Sequence, residues 1–366
     1  METLAPPSAP PRRVSALPRR PWPRVWWLLG PVMVLLVVAI VVGSIIRVPY
    51  VALSPGSARP VQPLIHLPKG KAFSDRGDVL LLTVRVRRRP TGIEALLGWL
   101  QSDTDVPPEK DVYGNEKPAT TERVDRTAMS DSKTRAAVVA FEKLGYHVVS
   151  GTGVVVGGVA GGLPVTGKLA KGDVITAVDG APTTTYQGLT TAIRSRQPGE
   201  TVTLSVERGG RTPAANVPVT LSRNAATGKT IIGITNISTR ASAVHFPFKV
   251  NFDTGSVVGP SGGLSFTLAL LDRLTPGSIT GGKRVAVTGE ISEDGQVLPI
   301  GGVGQKVLAA EHAGADAMIV PVADYPEAAA HASKKLRLFK VTDLDGALKA
   351  LTSLGGNASS LPRAGP

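Results

Sequence analysis

The chain contains no cysteine, and this absence excludes several kinds of site at once. Its 366 residues hold no disulfide framework, no thiolate nucleophile and no cysteine-ligated zinc cluster. Histidine is scarce, and the five present are far apart along the chain without the spacing of metal ligands. We therefore predict no metal site at these histidines, which are His66, His147, His245, His312 and His331.

A phosphate-binding P-loop is also lacking. The glycine-rich stretch 301–306 ends in a lysine, but it has no glycine directly before that lysine and no serine or threonine after it. We predict neither a nucleotide nor any other cofactor. The net charge of +13 could indicate nucleic acid. The basic N-terminal tail has a simpler explanation beside a membrane, so no nucleic-acid partner is predicted.

The stretch 259–306 carries the clearest candidates for chemistry. Its opening motif, Gly-Pro-Ser-Gly-Gly, leads into an apolar run at 264–271, which places Ser261 at the start of a helix. The unpaired N–H groups and partial positive charge of a helix N-terminus can stabilise an oxyanion. Lys306 opens a second amphipathic helix, and a serine with a buried lysine can perform acyl transfer. The non-catalytic alternatives are that Ser261 only caps the helix and that Lys306 is an ordinary solvent-exposed lysine.

Three motifs in this stretch follow one another in a characteristic order. Gly-Pro-Ser at a helix start is followed by Thr-Gly-Glu at 288–290 and by Pro-Ile-Gly-Gly at 299–302. The order resembles the proteolytic domain of Lon-type serine/lysine proteases over roughly residues 230–352. The resemblance implies that Ser261 is the nucleophile, Lys306 the general base and Thr288 a threonine that hydrogen-bonds near the lysine. It further implies oxyanion and substrate contacts from the backbone of Gly259, Pro260 and Gly262.

The sequence departs from that family at two positions near the serine. Val258 stands where many members have an acidic residue, and Gly262 where alanine is usual. The same motif also fits the nucleophile elbow of α/β-hydrolases, with Asp316 or Asp324 and then His331 as the downstream acid and histidine. That fold requires a long parallel sheet before the elbow, whereas 251–256 indicates a strand end and a turn, so we disfavour it.

Residues 146–222 alternate short β-branched runs with glycine turns. Within them, 169–180 resembles the central signature of PDZ domains, 186–196 fits the second helix of that fold and 199–210 its closing hairpin. The resemblance implies a domain that takes a peptide as an added strand beside a loop of N–H groups. We place that loop near Gly151, Gly153 and Val154, although these glycines could equally be turn glycines.

The N-terminal region reads as a membrane anchor. Residues 28–46 form a run without charged side chains, and the length of this run is close to that needed to cross the hydrocarbon layer. More arginines precede this run than follow it, which predicts a cytoplasmic N-terminus and an extracytoplasmic catalytic domain at the cell membrane. A cleaved signal peptide is the alternative, but the run is long and no small-x-small site follows closely.

The predicted fold class is α+β: an N-terminal transmembrane helix, a PDZ-like β-rich domain and a Lon-type proteolytic α+β domain. The function expected from the resemblance is ATP-independent serine endopeptidase activity on proteins or peptides, compatible with a ring-shaped homo-oligomer. A membrane-tethered PDZ adaptor with an inactive protease-like domain is the alternative. The predicted segments are a disordered basic tail (1–24), a transmembrane helix (25–47), a segment packed on the protease domain (48–125), the PDZ-like domain with a preceding helix (126–222), the protease domain (230–352) and a disordered tail (353–366).

Overall fold

The computed structural model describes residues 25–73, 76–101, 103–114, 118–208, 211–225 and 227–361. The predicted tail 1–24 lies outside these ranges. The helices within them are α1 (Val25–Ile45), α2 (Gly92–Leu100), α3 (Glu109–Tyr113), α4 (Pro118–Lys143), α5 (Tyr186–Arg194), α6 (Gly263–Leu274), α7 (Val303–His312), α8 (Tyr325–His331) and α9 (Leu344–Ser353).

The strands form two main sheets and four short two-stranded pairs within the described ranges. In chain order they are β1 (Val51–Pro60), β2 (Ile65–His66), β3 (Asp78–Arg88), β4 (Val149–Val155), β5 (Gly158–Val159), β6 (Val174–Val178), β7 (Ala181–Pro182), β8 (Thr201–Arg208), β9 (Arg211–Thr220), β10 (Ser222–Arg223), β11 (Thr230–Ile231), β12 (Ile234–Thr235), β13 (Ser238–Val244), β14 (Asn251–Phe252), β15 (Arg284–Val287), β16 (Glu290–Ile291), β17 (Val297–Leu298), β18 (Ala317–Pro321) and β19 (Arg337–Val341).

The first main sheet has five strands in the order β1-β3-β15-β18-β19, with β3, β15, β18 and β19 parallel and β1 antiparallel at one edge. Alternate residues of its strands face opposite sides, as strand geometry requires. Leu81 and Val287 pack into the core that holds α4, α6 and α9, whereas Leu80 and Ala286 pack into the core that holds α7 and α8. A parallel sheet covered on both faces is a mixed α/β layer arrangement, so the predicted α+β class is corrected.

The segment 48–125 does more than pack on this sheet. Strand β3 lies between β1 and β15 and pairs in parallel with β15, from Asp78 opposite Arg284 to Leu81 opposite Val287. Its first half is buried on both faces, which explains the continuous apolar run there. Two strands of the sheet therefore come from a segment some 200 residues before the others.

The second main sheet has six strands, in the order β13-β4-β6-β8-β9 with β7 paired to β6, and its own apolar core, which includes Val154, Ile175, Leu189 and Leu204. It is inserted between α4 and α6 of the unit built on the first sheet. Its entry and exit strands are neighbours, because β4 and β13 pair in antiparallel fashion and Val149 lies opposite Val244. Helix α4, which precedes this sheet in the chain, buries residues such as Phe141 in the core beside α6.

The predicted transmembrane helix at 25–47 is wrong. Among the residues described, the structure has no helix with both the length and the apolar character needed to cross a membrane.

The chain end also differs from its prediction as a disordered tail. Helix α9 runs to Ser353, and a 3-10 turn follows at Ala358–Ser360. Ala358 is buried in the core beside α9. Residues 362–366 lie outside the described ranges.

One buried hydrogen-bond network joins the N-terminal segment to helix α6. The carboxylate of Asp272, which is fully buried, accepts from Gln62 Nε2 at 3.0 Å and from the Ile279 N–H at 2.9 Å. Gln62 Oε1 accepts in turn from the N–H of Val79 on β3, at 3.1 Å. A buried carboxylate is tolerated only when it is hydrogen-bonded in this way.

We expect Asp272→Ala to destabilise the protein by about 2–4 kcal/mol, because it leaves buried donors without an acceptor. The measurement is thermal unfolding followed by circular dichroism. Asp131→Ala, at an exposed position of α4, is the matched control and should leave the midpoint unchanged. Equal midpoints for the two variants would contradict this account.

Candidate active site

Ser261 lies in a 3-10 turn, Pro260–Gly262, that runs directly into α6. The residue before the turn, Gly259, has φ +91°, a conformation that favours glycine. Gly262 packs closely, since a Cβ there would lie 2.8 Å from Leu81 Cδ1. The turn is also held from outside, because Ser132 Oγ of α4 donates to the Pro260 carbonyl at 3.0 Å. Ser261 is therefore presented, half-buried, on a rigid helix start.

The end of strand β15 docks on this helix start. The Gly289 N–H donates to the Ser261 carbonyl at 3.0 Å, and the Gly289 carbonyl accepts from the Leu264 N–H at the same distance. Thr288 Oγ1 also donates to the Ser261 carbonyl, at 3.4 Å. Gly289 has φ +145°, and a Cβ there would lie 2.7 Å from Val297 Cγ1, so glycine permits the approach. The structure thus brings Thr288 and Ser261 together through the backbone of Ser261.

Lys306 lies in the first turn of α7 and is only 3% exposed. Burial disfavours its charged form and lowers its pKa from the ordinary value of about 10.5 to about 8, against the opposing influence of Asp324 and Glu327. The helix begins at Gly302, which has φ +67°, and a Cβ there would lie 2.8 Å from Val84 Cγ2 of β3. This close packing of Gly302 against β3 positions the start of α7 so that Lys306 is buried.

Two carboxylates at the start of α8 surround the lysine helix. Asp324 Oδ2 accepts from the Ile300 N–H at 2.9 Å, and Glu327 Oε1 accepts from the Gly304 N–H at 3.1 Å. Burial raises the pKa of Asp324, although Ile300 and Lys306 oppose this shift. Sequence reasoning missed both as partners of Lys306. Their spacing of 18 and 21 residues after it gives no periodic signal, because a strand and a turn intervene.

The two predicted dyad members do not touch directly. Both are among the described residues, and no hydrogen bond joins Ser261 Oγ to Lys306 Nζ. Such contacts are often long in unliganded sites and tighten when substrate is bound. Of the groups named for the disfavoured hydrolase triad, Asp316 accepts from the Arg284 N–H, whereas Asp324 and His331 lie beside the Lys306 helix, with the His331 ring close to Gly304.

A cavity of about 220 Å³ opens beside the serine turn. It is lined by side chains of β1 and β3 and by the loop before the turn, with Leu81 shared between the cavity wall and the contact at Gly262. Arg59 and Asp253 supply one charge of each sign to its lining.

The second main sheet carries another cavity, of about 420 Å³. It lies between α5 and the chain at 230–237, with Leu189, Ile193 and Ile232 among its lining residues. The glycines predicted for the peptide loop do not line it. Gly151 and Gly153 lie within β4, and Val154 is fully buried in the core. The sequence signal that could have found the true lining is the apolar Ile-Ile-Gly-Ile at 231–234.

Comparison with known families matches two consecutive parts of the chain. Residues 127–219 match the family model of the PDZ domain, and residues 226–353 match that of the Lon protease (S16) C-terminal proteolytic domain. The chain carries a Lon-type proteolytic domain next to a PDZ domain. Strands β1 and β3 lie outside the Lon match although they complete its sheet, and β13 lies within it although it pairs in the PDZ sheet.

Curated relatives match over part of this chain. The chain is 38% identical over 104 residues to the Lon protease of Roseiflexus castenholzii, an overlap of 26% of this chain and 13% of that protein. It is 41% identical over 97 residues to the Lon protease of Trichlorobacter lovleyi (25% and 11%) and 35% over 124 residues to that of Elusimicrobium minutum (32% and 14%). The chain thus spans about an eighth of the length of these relatives. The matches support a serine-type peptidase.

Solved structures match over the PDZ region. The PDZ domain of an SdrC-like protein from Listeria monocytogenes is 30% identical, covering 24% of this chain and 90% of that one at a TM-score of 0.22. A PDZ domain of an SdrC-like protein from Listeria innocua is 28% identical, covering 25% and 97% at a TM-score of 0.22.

The buried lysine generates a prediction about stability. The unfolded chain keeps the ordinary pKa of about 10.5 whereas the folded protein holds it at about 8, so the unfolded state binds the proton more tightly between these values. The contribution of Lys306 to stability is therefore least favourable below pH 8 and improves up to about pH 10.5. The shift corresponds to a penalty on the order of 3 kcal/mol at neutral pH.

Lys306→Met removes that penalty while keeping the apolar length of the side chain. We expect it to unfold at a higher temperature than wild type at pH 7, with an advantage that shrinks toward pH 10. Differential scanning calorimetry at both pH values measures this. Lys334→Met, at an exposed lysine, should show no such trend. If the unfolding temperatures of Lys306→Met and wild type differ by the same amount at both pH values, the Lys306 amine of the wild type is not desolvated.

Proposed function

We propose that this protein is a serine endopeptidase in which Ser261 and Lys306 form the catalytic dyad. Two observations carry the proposal together. Ser261 lies at the start of helix α6. Lys306, in the first turn of α7, is only 3% exposed, and its pKa is lowered to about 8. The family match over 226–353 supports the same chemistry.

The proposed reaction begins with proton transfer. Neutral Lys306 takes the proton of Ser261 Oγ while that oxygen attacks the carbonyl carbon of the peptide bond. A lysine in water is protonated at neutral pH and cannot do this, whereas one with a pKa near 8 is partly neutral. The lysine then returns its proton to the leaving amine, and water releases the acyl group from Ser261. The carboxylates of Asp324 and Glu327 limit how far the pKa falls, which keeps the amine basic.

The remaining groups position the reaction. Thr288 and Gly289 hold the Ser261 carbonyl, so the serine backbone is not free to turn when its side chain reacts. Backbone N–H groups of the turn, from Ser261 and Gly262, are proposed to receive the oxyanion, helped by the partial positive charge at the start of α6. The predicted contribution of Gly259 cannot come from its N–H, which donates to the Asp125 carbonyl at 3.1 Å.

The proposal also covers the class of substrate and whether a nucleotide is needed. The PDZ domain and the proteolytic domain fit the binding of protein or peptide substrates. We propose that hydrolysis needs no nucleotide, which the lack of a P-loop in the 366 residues supports. Substrates would then be flexible segments. The predicted extracytoplasmic location and the ring-shaped oligomer stay predictions, and the proposed chemistry depends on neither.

We expect Ser261→Ala to abolish hydrolysis of an unstructured peptide library, measured by mass spectrometry of the products with and without apyrase. The double variant Ser261→Ala/Lys306→Arg should be no worse than either single one, because dyad members act as a unit. Ser256→Ala, at an exposed serine five residues earlier, is the control and should retain activity. If wild type gives no products, the chain is an inactive peptide-binding adaptor, and if Ser261→Ala gives the same products as wild type, Ser261 is not the nucleophile.

The pH dependence of hydrolysis tests the base. We expect kcat/KM to rise with pH through a single ionisation near 8, because only the neutral amine accepts a proton. Lys306→Arg should be inactive throughout, since a guanidinium stays charged in the accessible range. Lys334→Arg should keep the wild-type profile. Substantial hydrolysis by folded Lys306→Arg would show that another group is the base.

A further inference from the structure

Strand β19 is the outermost strand of the first main sheet, at the edge opposite β1. Within the described residues it has one neighbour, β18, with which it pairs over its full length. An edge strand leaves the backbone N–H and C=O groups on its outer side without ladder partners. The edge at β1 is partly covered, because Leu53 exchanges backbone hydrogen bonds with Asp105. The edge at β19 is the one that can accept another strand.

Helices hold β19 in place from both faces of the sheet. Phe339 packs against the core beside α9, and Leu338 packs against the core beside α7 and α8. Both side chains are half-buried. A strand fixed on its two faces presents its outer backbone edge in a defined position.

Cations line this edge. Lys335, Arg337 and Lys340 are exposed, and within the part of the chain that the structure describes none of them forms a salt bridge. Two of them are held by aromatic rings instead. Arg337 Cζ lies 5.4 Å from the centre of the Phe339 ring, and Lys340 Nζ lies 5.4 Å from the centre of the Tyr325 ring.

The carboxylates on the neighbouring elements are already engaged. Residues 331–341 themselves contain no acidic side chain. On α7, α8 and α9 and in the turns before β18 and α9, each carboxylate has a partner: Glu311 the Ser333 N–H, Asp316 the Arg284 N–H, Asp324 the Ile300 N–H, Glu327 the Gly304 N–H, Asp343 the Gly346 N–H and Asp345 the Lys143 amine. The edge itself therefore keeps an excess of positive charge.

The open backbone and the charge together select a partner. Charged side chains on an edge strand usually prevent pairing between copies of a protein, and two copies of this basic edge would repel each other. A strand of opposite charge is attracted, while its backbone continues the hydrogen-bond ladder. Residues 1–24 hold five arginines and one glutamate, so this end of the chain has the wrong sign. The complementary partner is an extended acidic segment of another protein.

The parallel order of the strands puts the carboxyl end of β19 on the same side of the sheet as the serine. Strand β15 leads into Thr288 and Gly289, which contact Ser261, and β15, β18 and β19 are parallel. Neighbouring strands are about 4.8 Å apart, so a strand added to β19 would lie three spacings, or about 14 Å, from β15. About five residues of extended chain cover that distance.

We propose that β19 recruits substrates: an extended acidic segment of a protein pairs with its outer edge as an added strand, and the chain that flanks this segment enters the site of Ser261. The cleavage step rests on the proposed function, whereas the docking step does not depend on it. Docking stabilises the bound substrate and its transition state equally, so it lowers KM and leaves kcat unchanged.

Docking is measured by fluorescence anisotropy on the full chain carrying Ser261→Ala, so that no peptide is cleaved. The probe is a fluorescein-labelled nonapeptide of alternating glutamate and valine. One comparison peptide has lysine in place of glutamate. Another keeps the glutamates but is N-methylated at two adjacent central residues, which blocks hydrogen bonding on both edges of a strand. We expect the probe to bind at least about fivefold more tightly than either, and less tightly as salt rises.

Variants locate the binding. Arg337→Gln/Lys340→Gln removes two cations of the edge and should weaken binding of the probe at least about fivefold. Lys335→Gln, outside the strand, should weaken it in the same direction and keeps the test valid if the double variant is unstable. Lys69→Gln/Lys171→Gln makes the charge change of the double variant at exposed lysines elsewhere and should bind like its parent. Equal affinities of the edge variants and this control would overturn the assignment to β19.

Recruitment is measured by hydrolysis with wild type. One internally quenched substrate carries the acidic nonapeptide joined to the cleavable segment by ten glycine and serine residues, whose mean end-to-end length of roughly 17 Å suits the distance to be covered. Two others lack the nonapeptide or join it by only two residues. We expect the first to have a KM at least about fivefold below the others at equal kcat, and Arg337→Gln/Lys340→Gln to remove this difference.

The remaining outcomes separate the alternatives. Equal binding of the N-methylated peptide would overturn the added strand. An oligonucleotide of twelve thymidines that binds more tightly than the probe and displaces it would make the edge a nucleic-acid site. A dimer in sedimentation velocity that Arg337→Gln/Lys340→Gln abolishes would assign the edge to a second copy of the chain. Hydrolysis of all three substrates with one KM would overturn recruitment while the proposed function stands. Binding of the probe without hydrolysis of any substrate would overturn the proposed function and leave the docking site.

Discussion

The exclusion of water from Lys306 is the constraint on which the rest of the structure depends. A charged amine at 3% exposure is unfavourable, and the protein tolerates it because the chain around it is held from several directions. Strand β3 presses on Gly302 from one side, and the carboxylates of Asp324 and Glu327 bind the backbone at either side of the helix start. The environment is apolar enough to lower the pKa of the amine and charged enough to keep it a useful base.

This constraint explains why the N-terminal segment 48–125 contributes strands β1 and β3 to the sheet of the proteolytic unit. Val84 of β3 supports the lysine helix, and Leu81 of the same strand packs on Gly262 beside the serine. One strand therefore packs against the glycines next to both predicted dyad members, although it lies outside the family match over 226–353. The buried network of Gln62 and Asp272 fastens that segment to α6. The proteolytic unit is complete only with this early part of the chain.

The sequence predicts the local parts of the site better than their assembly. Glycines at 259 and 302 and the apolar runs behind them mark two helix starts, because turn chemistry and periodicity are encoded locally. The parallel pairing of β3 with β15 is not encoded locally, because the two strands are about 200 residues apart and the sequence of each indicates only an apolar strand. The carboxylates near Lys306 and the cavity at 230–237 were missed for the same reason. The prediction of a membrane helix was wrong, because no helix among the described residues has the length and apolar character needed to cross a membrane.

The antiparallel pairing of Val149 with Val244 has a consequence for how the chain folds. Roughly 95 residues lie between α4 and the approach to α6, and closing a disordered loop of that length costs on the order of 4 kcal/mol in chain entropy. When the inserted sheet forms first, its own β4–β13 ladder brings both ends side by side. The surrounding core then meets a short, preformed connection, so early folding of the insert would speed the assembly of the sheet that surrounds it.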